Sequence, residues 1–257
     1  MIFEFLKRRR RRKILSKPFP ESHLKILENQ FPLYQKLPAD AQARLKDLVK
    51  VFMDEKHFEG CRGFELSEEV PVLIAAQACL LLIGNHDREY AKLKSILVYP
   101  RSYKAESEQI SEGGIVTVSN HEVLGQSWEQ GLVSLSWEST QRGAANMRDG
   151  RNVVIHEFAH QLDQEDGVAN GLPVLRSRCR YAAWQAVMSK EYERLRDRVD
   201  QNRKTIMDPY GATHPAEFFA VASECFFEKP RQLREYRPDL YRELQVFYGQ
   251  DPVDYHR

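Results

Sequence analysis

The chain has 257 residues, of which 42% are apolar and 29% charged, enough for a sizeable core. Its net charge of +1 hides an asymmetry: residues 1–13 (MIFEFLKRRRRRK) carry +6 and the remainder −5, which excludes wholesale nucleic-acid binding through a basic body. The cysteines, Cys61, Cys79, Cys179 and Cys225, form no C-x-x-C pair, which excludes a disulfide framework and points to a reduced, cytoplasmic setting.

The few apolar residues at the N-terminus precede the charges, the reverse of a signal peptide. Residues 7–13 read as a solvated basic tail or as an electrostatic tether to anionic lipid or nucleic acid. The tail is taken as residues 1–16, disordered, ahead of a single domain over 17–257. That domain divides into a helical part, 17–92, and a part carrying the sheet and site, 93–257.

Leu24, Leu27, Phe31 and Leu33 mark one helical stretch, and Leu45, Leu48, Val49 and Phe52 a second that begins at Ala39 and Asp40. Residues 61–64 read as a loop or a short extended piece. A helix capped by Ser67 and running to Ile83 is apolar nearly all round, which predicts a central core helix. Gly84, Asn85 and His86 end it. Three short β-rich runs follow, at 95–99 (SILVY), 114–119 (GIVTVS) and 132–137 (LVSLSW). They predict a small, mostly antiparallel sheet that either offers an edge to an extended peptide or only packs on the core. Residues 141–150 read as a loop. Later helices are predicted over 178–203, 214–228, 231–236 and 239–248.

The chemistry concentrates at 153–163 (VVIHEFAHQLD), which contains H-E-x-x-H. With 8 His and 24 Glu in the chain, chance gives this pattern about 0.02 times. On a helix, positions i and i+4 share a face, so His156 and His160 can hold one zinc ion, and Glu157 can act as general base. Phe158, Ala159 and Leu162 supply a buried side. A catalytic zinc site needs a third protein ligand. Positions 163 and 166 are both Asp, which excludes a close third histidine. Glu217 and Glu224 lie seven apart in the apolar segment AEFFAVASE, where a carboxylate needs a partner. Glu217 is favoured because it stands at the start of its helix, beside the Tyr210 turn; Glu224 is then a supporting or Arg-paired residue. Asp163 either supports a ligand histidine or is an ordinary acid. Tyr210 or His214 could donate to an oxyanion, although a tyrosine in a turn is more often structural.

HEFAHQLDQEDG at 156–167, taken with DPYGATHPAEFFAVASECFF at 208–227, resembles the Mlc titration factor A family of zinc peptidases. QSWEQGLVSLSWE at 126–138 adds to the likeness, which extends over most of the chain. The resemblance implies a predominantly helical α+β, zincin-like fold of gluzincin type. It implies one Zn2+ ion held by His156, His160 and Glu217, with Glu157 as general base and Tyr210 stabilising the transition state. It further implies aminopeptidase-type peptide substrates and, as partner, a transcriptional repressor such as Mlc. The competing expectation is a non-catalytic regulatory protein that sequesters a transcription factor, its zinc site structural or regulatory.

Overall fold

The computed structural model describes residues 2–85, 89–101, 103–110, 116–123, 125–128 and 131–256. Its helices are α1 (Ile2–Leu15), α2 (Glu21–Gln30), α3 (Pro32–Lys36), α4 (Ala39–Glu55), α5 (Glu69–Leu80), α6 (Trp137–Ala145), α7 (Val153–Asp163), α8 (Arg180–Asp200), α9 (Pro215–Glu228), α10 (Pro230–Tyr236) and α11 (Pro238–Tyr248). The strands are β1 (His57–Gly60), β2 (Ser95–Tyr99), β3 (Tyr103–Ile110), β4 (Val116–Val123), β5 (Gly125–Trp128) and β6 (Leu132–Ser136). Helices α3, α9, α10 and α11 each open on proline, whose missing N–H costs nothing in the first turn.

The result is a predominantly helical protein with a small sheet. Helix α5 is apolar all round and buried from Val70 to Leu80 apart from its proline. It packs against α2, α4, α6 and α7. Helix α9 is almost as apolar and lies along α7. The motif helix therefore packs against α9 and against strands β5 and β6 as well as α5.

The expected mostly antiparallel sheet is corrected. The four-stranded sheet has the order β1-β2-β6-β5, with β1/β2 and β2/β6 parallel and only β5/β6 antiparallel. Helix α5 is the cause: it carries the chain back between β1 and β2, so the two strands enter in the same direction. Strands β3 and β4 form a separate antiparallel pair. In β6 Ser134 and Ser136 are as buried as Val133 and Leu135, so its alternating sequence does not mark a solvent face. Strand β1 falls where no element was expected. Of the expected strand 114–119, residues 114 and 115 lie outside the described residues, as does His86.

Residues 2–15, expected as a disordered tail, form helix α1. Its inward side is held by ion pairs from Lys7 to Glu89 (2.7 Å), Arg11 to Glu55 (2.6 Å) and Arg11 to Glu89. Lys50 Nζ donates to the carbonyls of Leu15 and Lys17, closing the helix's C-terminal end. Helix α5 starts at Glu69 without a side-chain cap from Ser67, and gives way to turns after Leu80. Those turns end in a close backbone approach. A Cβ on Gly84 would lie 2.1 Å from the Gly249 carbonyl oxygen, and one on Gly249 (φ +64°) 2.4 Å from that of Gly84. No described helix is long and apolar enough to cross a membrane, and all four cysteines are free thiols.

The start of α7 is fixed from three directions. Asn152 caps it, its Oδ1 accepting from the N–H groups of Val154 and Ile155 (3.1 and 3.0 Å). The other end of that amide donates to Gln77 Oε1 on α5 (3.0 Å), and Gln77 in turn donates to the Thr140 carbonyl on α6. Just upstream, the N–H groups of Gly150 and Arg151 donate to Glu228 Oε2 at the end of α9 (2.8 and 2.9 Å). Glu228 is buried, and burial, with help from the Asp149 and Glu224 carboxylates, pushes its carboxyl up to about 9.

Two outcomes follow from this packing. Replacing Gln77 with Leu keeps the volume but strands the Asn152 amide, so the urea-unfolding midpoint should fall by the equivalent of about 1–3 kcal/mol; an unchanged midpoint refutes the coupling. Glu228 keeps its proton in the folded chain at pH values where the unfolded chain has lost it. Its contribution to stability must therefore fall as pH rises from about 4.5 towards about 9. Glu228→Gln should flatten that part of the stability–pH curve, and a slope identical to wild type would show that Glu228 is ionised throughout.

Candidate metal centre

Helix α7 puts His156 and His160 one turn apart on one face, with ring centroids 4.9 Å apart. Helix α9 brings Glu217 in its first turn to the same point. His156 Nε2 lies 3.0 Å from Glu217 Oε2 and 3.2 Å from His160 Nε2, and His160 Nε2 lies 3.4 Å from Glu217 Oε2. The three sequence-predicted ligands are thus brought together, among the described residues, as a group whose donor atoms all lie within 4.8 Å of one another.

This donor set fits a metal ion. Tetrahedral zinc with bonds of about 2.0–2.1 Å places its ligand atoms roughly 3.3 Å apart, and the observed edges of 3.0, 3.2 and 3.4 Å bracket that value. The tautomer agrees as well. Glu224 Oε2 accepts a hydrogen bond from His156 Nδ1 (3.1 Å), so the proton sits on Nδ1 and the Nε2 lone pair faces the other donors. Two imidazole nitrogens and a carboxylate oxygen turned towards one another can share a cation between them.

The electrostatics express the same demand. Burial opposes a charged His156, yet the Glu224 and Glu217 carboxylates outweigh it and raise its pKa well above the usual range. Burial would raise Glu217, but His156 and His160 hold its carboxyl far below normal. Glu157, 5% exposed, goes the other way: burial raises its pKa despite the nearby His156 and His160. Its Oε2 has no hydrogen-bond partner. A buried carboxylate with a spare oxygen beside a metal-type donor set can take and return a proton.

Tyr210 lies in the 3-10 turn Pro209–Ala212, which Asp208 caps by accepting from the Tyr210 N–H (2.9 Å). Arg151, in the loop before α7, pairs with the same Asp208 (2.8 Å). The phenol ring stands 6.1 Å from the His156 ring, and the residue is 54% exposed. Burial of its remaining surface, with the Glu217 and Glu157 charges, pushes its pKa up to about 12, so it stays a hydrogen-bond donor. His214 caps α9, its Nδ1 accepting from the Ala216 N–H. Asp163 is fully buried and accepts from the Gly171 N–H (2.8 Å) rather than from a ligand histidine.

Sequence reasoning anticipated Glu224 as a supporting or Arg-paired residue but missed the other supports. Asn152 stands directly before the apolar run VVI, a readable helix-start signal, yet the residue that it and His156 share, Glu224, could not be assigned that bridge. Glu224 Oε1 accepts from the Asn152 N–H (2.6 Å) while Oε2 holds His156. Glu228 and Gln77 carry no sequence signal at all, since an acid at a helix end and an amide in a core helix are each ordinary on their own.

With this geometry in hand, known proteins give a consistent picture. The family described as Glucose-regulated metallo-peptidase M90 matches residues 5–249. A Synechocystis protein is 37% identical over 245 residues, covering 95% of this chain and 89% of its own length. Proteins named Mlc titration factor A from Cronobacter sakazakii and Salmonella typhi are 33% and 34% identical, each covering 86% of this chain and 84% and 83% of their own. A match of that extent, on a chain whose two histidines and glutamate converge as a metal-binding donor set, makes this protein a member of the glucose-regulated metallo-peptidase M90 family.

Proposed function

We propose that the chain is a zinc-dependent peptidase of zincin-like, gluzincin type, with aminopeptidase-type substrates. The observation that carries this reading is the near-tetrahedral spacing of His156 Nε2, His160 Nε2 and Glu217 Oε2 beside the unpartnered Glu157 oxygen. A zinc ion bound there would polarise the scissile carbonyl and make a water acidic enough to attack near neutral pH.

The chain's own residues perform the remaining work. Glu157 takes the proton of the attacking water and returns it to the leaving amine, and its raised pKa suits both halves of that cycle. The Tyr210 hydroxyl donates to the oxygen that becomes negative in the tetrahedral state. Glu224 fixes the His156 ring so that its donor nitrogen faces inward. Strand β5, which among the described residues is the edge of the sheet beside α7, would add an extended peptide as a further strand.

A second reading draws on the name carried by several relatives, Mlc titration factor A. It assigns the protein to the cytoplasm, where it binds a transcriptional repressor such as Mlc, with or without hydrolysis.

Glu157→Gln separates the two. Under the peptidase reading it should lower turnover of aminoacyl nitroanilides by about a hundredfold or more, with zinc content and thermal unfolding unchanged. Wild-type turnover in that variant refutes Glu157 as base, and repressor binding that persists without any turnover supports the second reading. Glu224→Gln should weaken zinc binding about 10- to 100-fold in a chelator competition; unaltered affinity would remove Glu224 from the site's support.

A further inference from the structure

Helix α1 has two unlike sides. The inward side, Lys7, Arg10 and Arg11, is consumed by ion pairs with Glu89, Asp54 and Glu55. At 100° per residue, Phe5, Arg9 and Arg12 fall on the opposite side, flanked by Leu6, Arg8 and Lys13. All six are exposed, Phe5 by 59% and Leu6 by 54%. The four cations among them make no ion pair with any described residue.

We propose that this outward face of α1 docks the protein on an anionic lipid surface. Charge complementarity commits it to that occupant: a +6 segment stands on a body of −5, and its four cations without an ion pair, Arg8, Arg9, Arg12 and Lys13, are all exposed. Phe5 and Leu6 choose lipid over nucleic acid, because an aromatic and an aliphatic side chain at the helix tip gain nothing from a phosphate backbone but insert at a headgroup boundary. Fourteen residues span about 21 Å, too short to cross a bilayer and suited to lying on one. The ion pairs to α4 and Glu89 keep α1 attached while its other side binds, so the whole domain follows the helix to the surface. This inference stands apart from the peptidase reading and survives its failure.

The full-length protein is sedimented with phosphatidylcholine vesicles, with and without about 30% phosphatidylserine, at about 0.1 M salt. Binding is expected only to the acidic vesicles and should weaken steeply as salt rises. A cation near such a surface contributes about fivefold in affinity, so the triple variant Arg9→Ala/Arg12→Ala/Lys13→Ala should lose about a hundredfold. Phe5→Ser should lose about tenfold, and this loss should persist at high salt. Circular dichroism confirms that each variant keeps its helices. Absence of binding to acidic vesicles, a triple variant that binds like wild type, or tighter binding to a DNA duplex than to the vesicles would each overturn the proposal.

Discussion

The Glu224 carboxylate is the contact on which the site depends. One oxygen accepts from the Asn152 N–H, where α7 begins, and the other from the His156 imidazole one turn later. A single side chain from α9 therefore sets both the start of the motif helix and the rotation of its first histidine. Because Glu217 stands two turns earlier on the same helix, the third donor is placed by the same registration. Such a bridge is expensive to bury and worth burying only when both oxygens find strong donors, as they do here. The apolar surroundings of α9, from Phe218 to Phe227, keep water from competing for it.

Around that bridge the chain arranges a second tier of polar contacts within an otherwise apolar interior. Gln77 on α5 ties the Asn152 amide to α6, and Glu228 gathers the N–H groups of Gly150 and Arg151. Even Gly143, unfavourable inside helix α6, has its reason there: a Cβ would come within 2.9 Å of the Asn152 side chain. Four buried polar side chains, Gln77, Asn152, Glu224 and Glu228, thus share one task, holding the beginning of α7 still. Rigidity at that point is what a donor set with edges near 3.3 Å requires.

Much of this was legible in the sequence, and the gaps have physical causes. Helices α4, α8, α9, α10 and α11 follow from apolar residues recurring with helical period between proline and glycine stops. His156, His160 and Glu157 follow from the fixed geometry of i, i+4 on a helix. Strand direction does not follow, because period-two alternation marks a strand without saying which way its neighbour runs. Helix α6 was hidden because Trp137 completes the alternation of LVSLSW, whereas Ser136 in fact caps the helix by accepting from Ser139. Helix α1 was hidden for a different reason: its inner face is charged, and its partners Glu55 and Glu89 are far away in sequence.

The approach of Gly84 to Gly249 has a consequence for how the chain can vary. Each residue occupies the space that the other's side chain would need, and what stands there is backbone, which cannot turn aside. A substitution at either position meets a clash, and a second substitution at the other adds one instead of relieving it. The two sites are therefore closed to stepwise drift in either order. Lineages that keep this junction between the ends of α5 and α11 should inherit the glycines as a pair, and loss of one should accompany remodelling of the C-terminal helix as a whole.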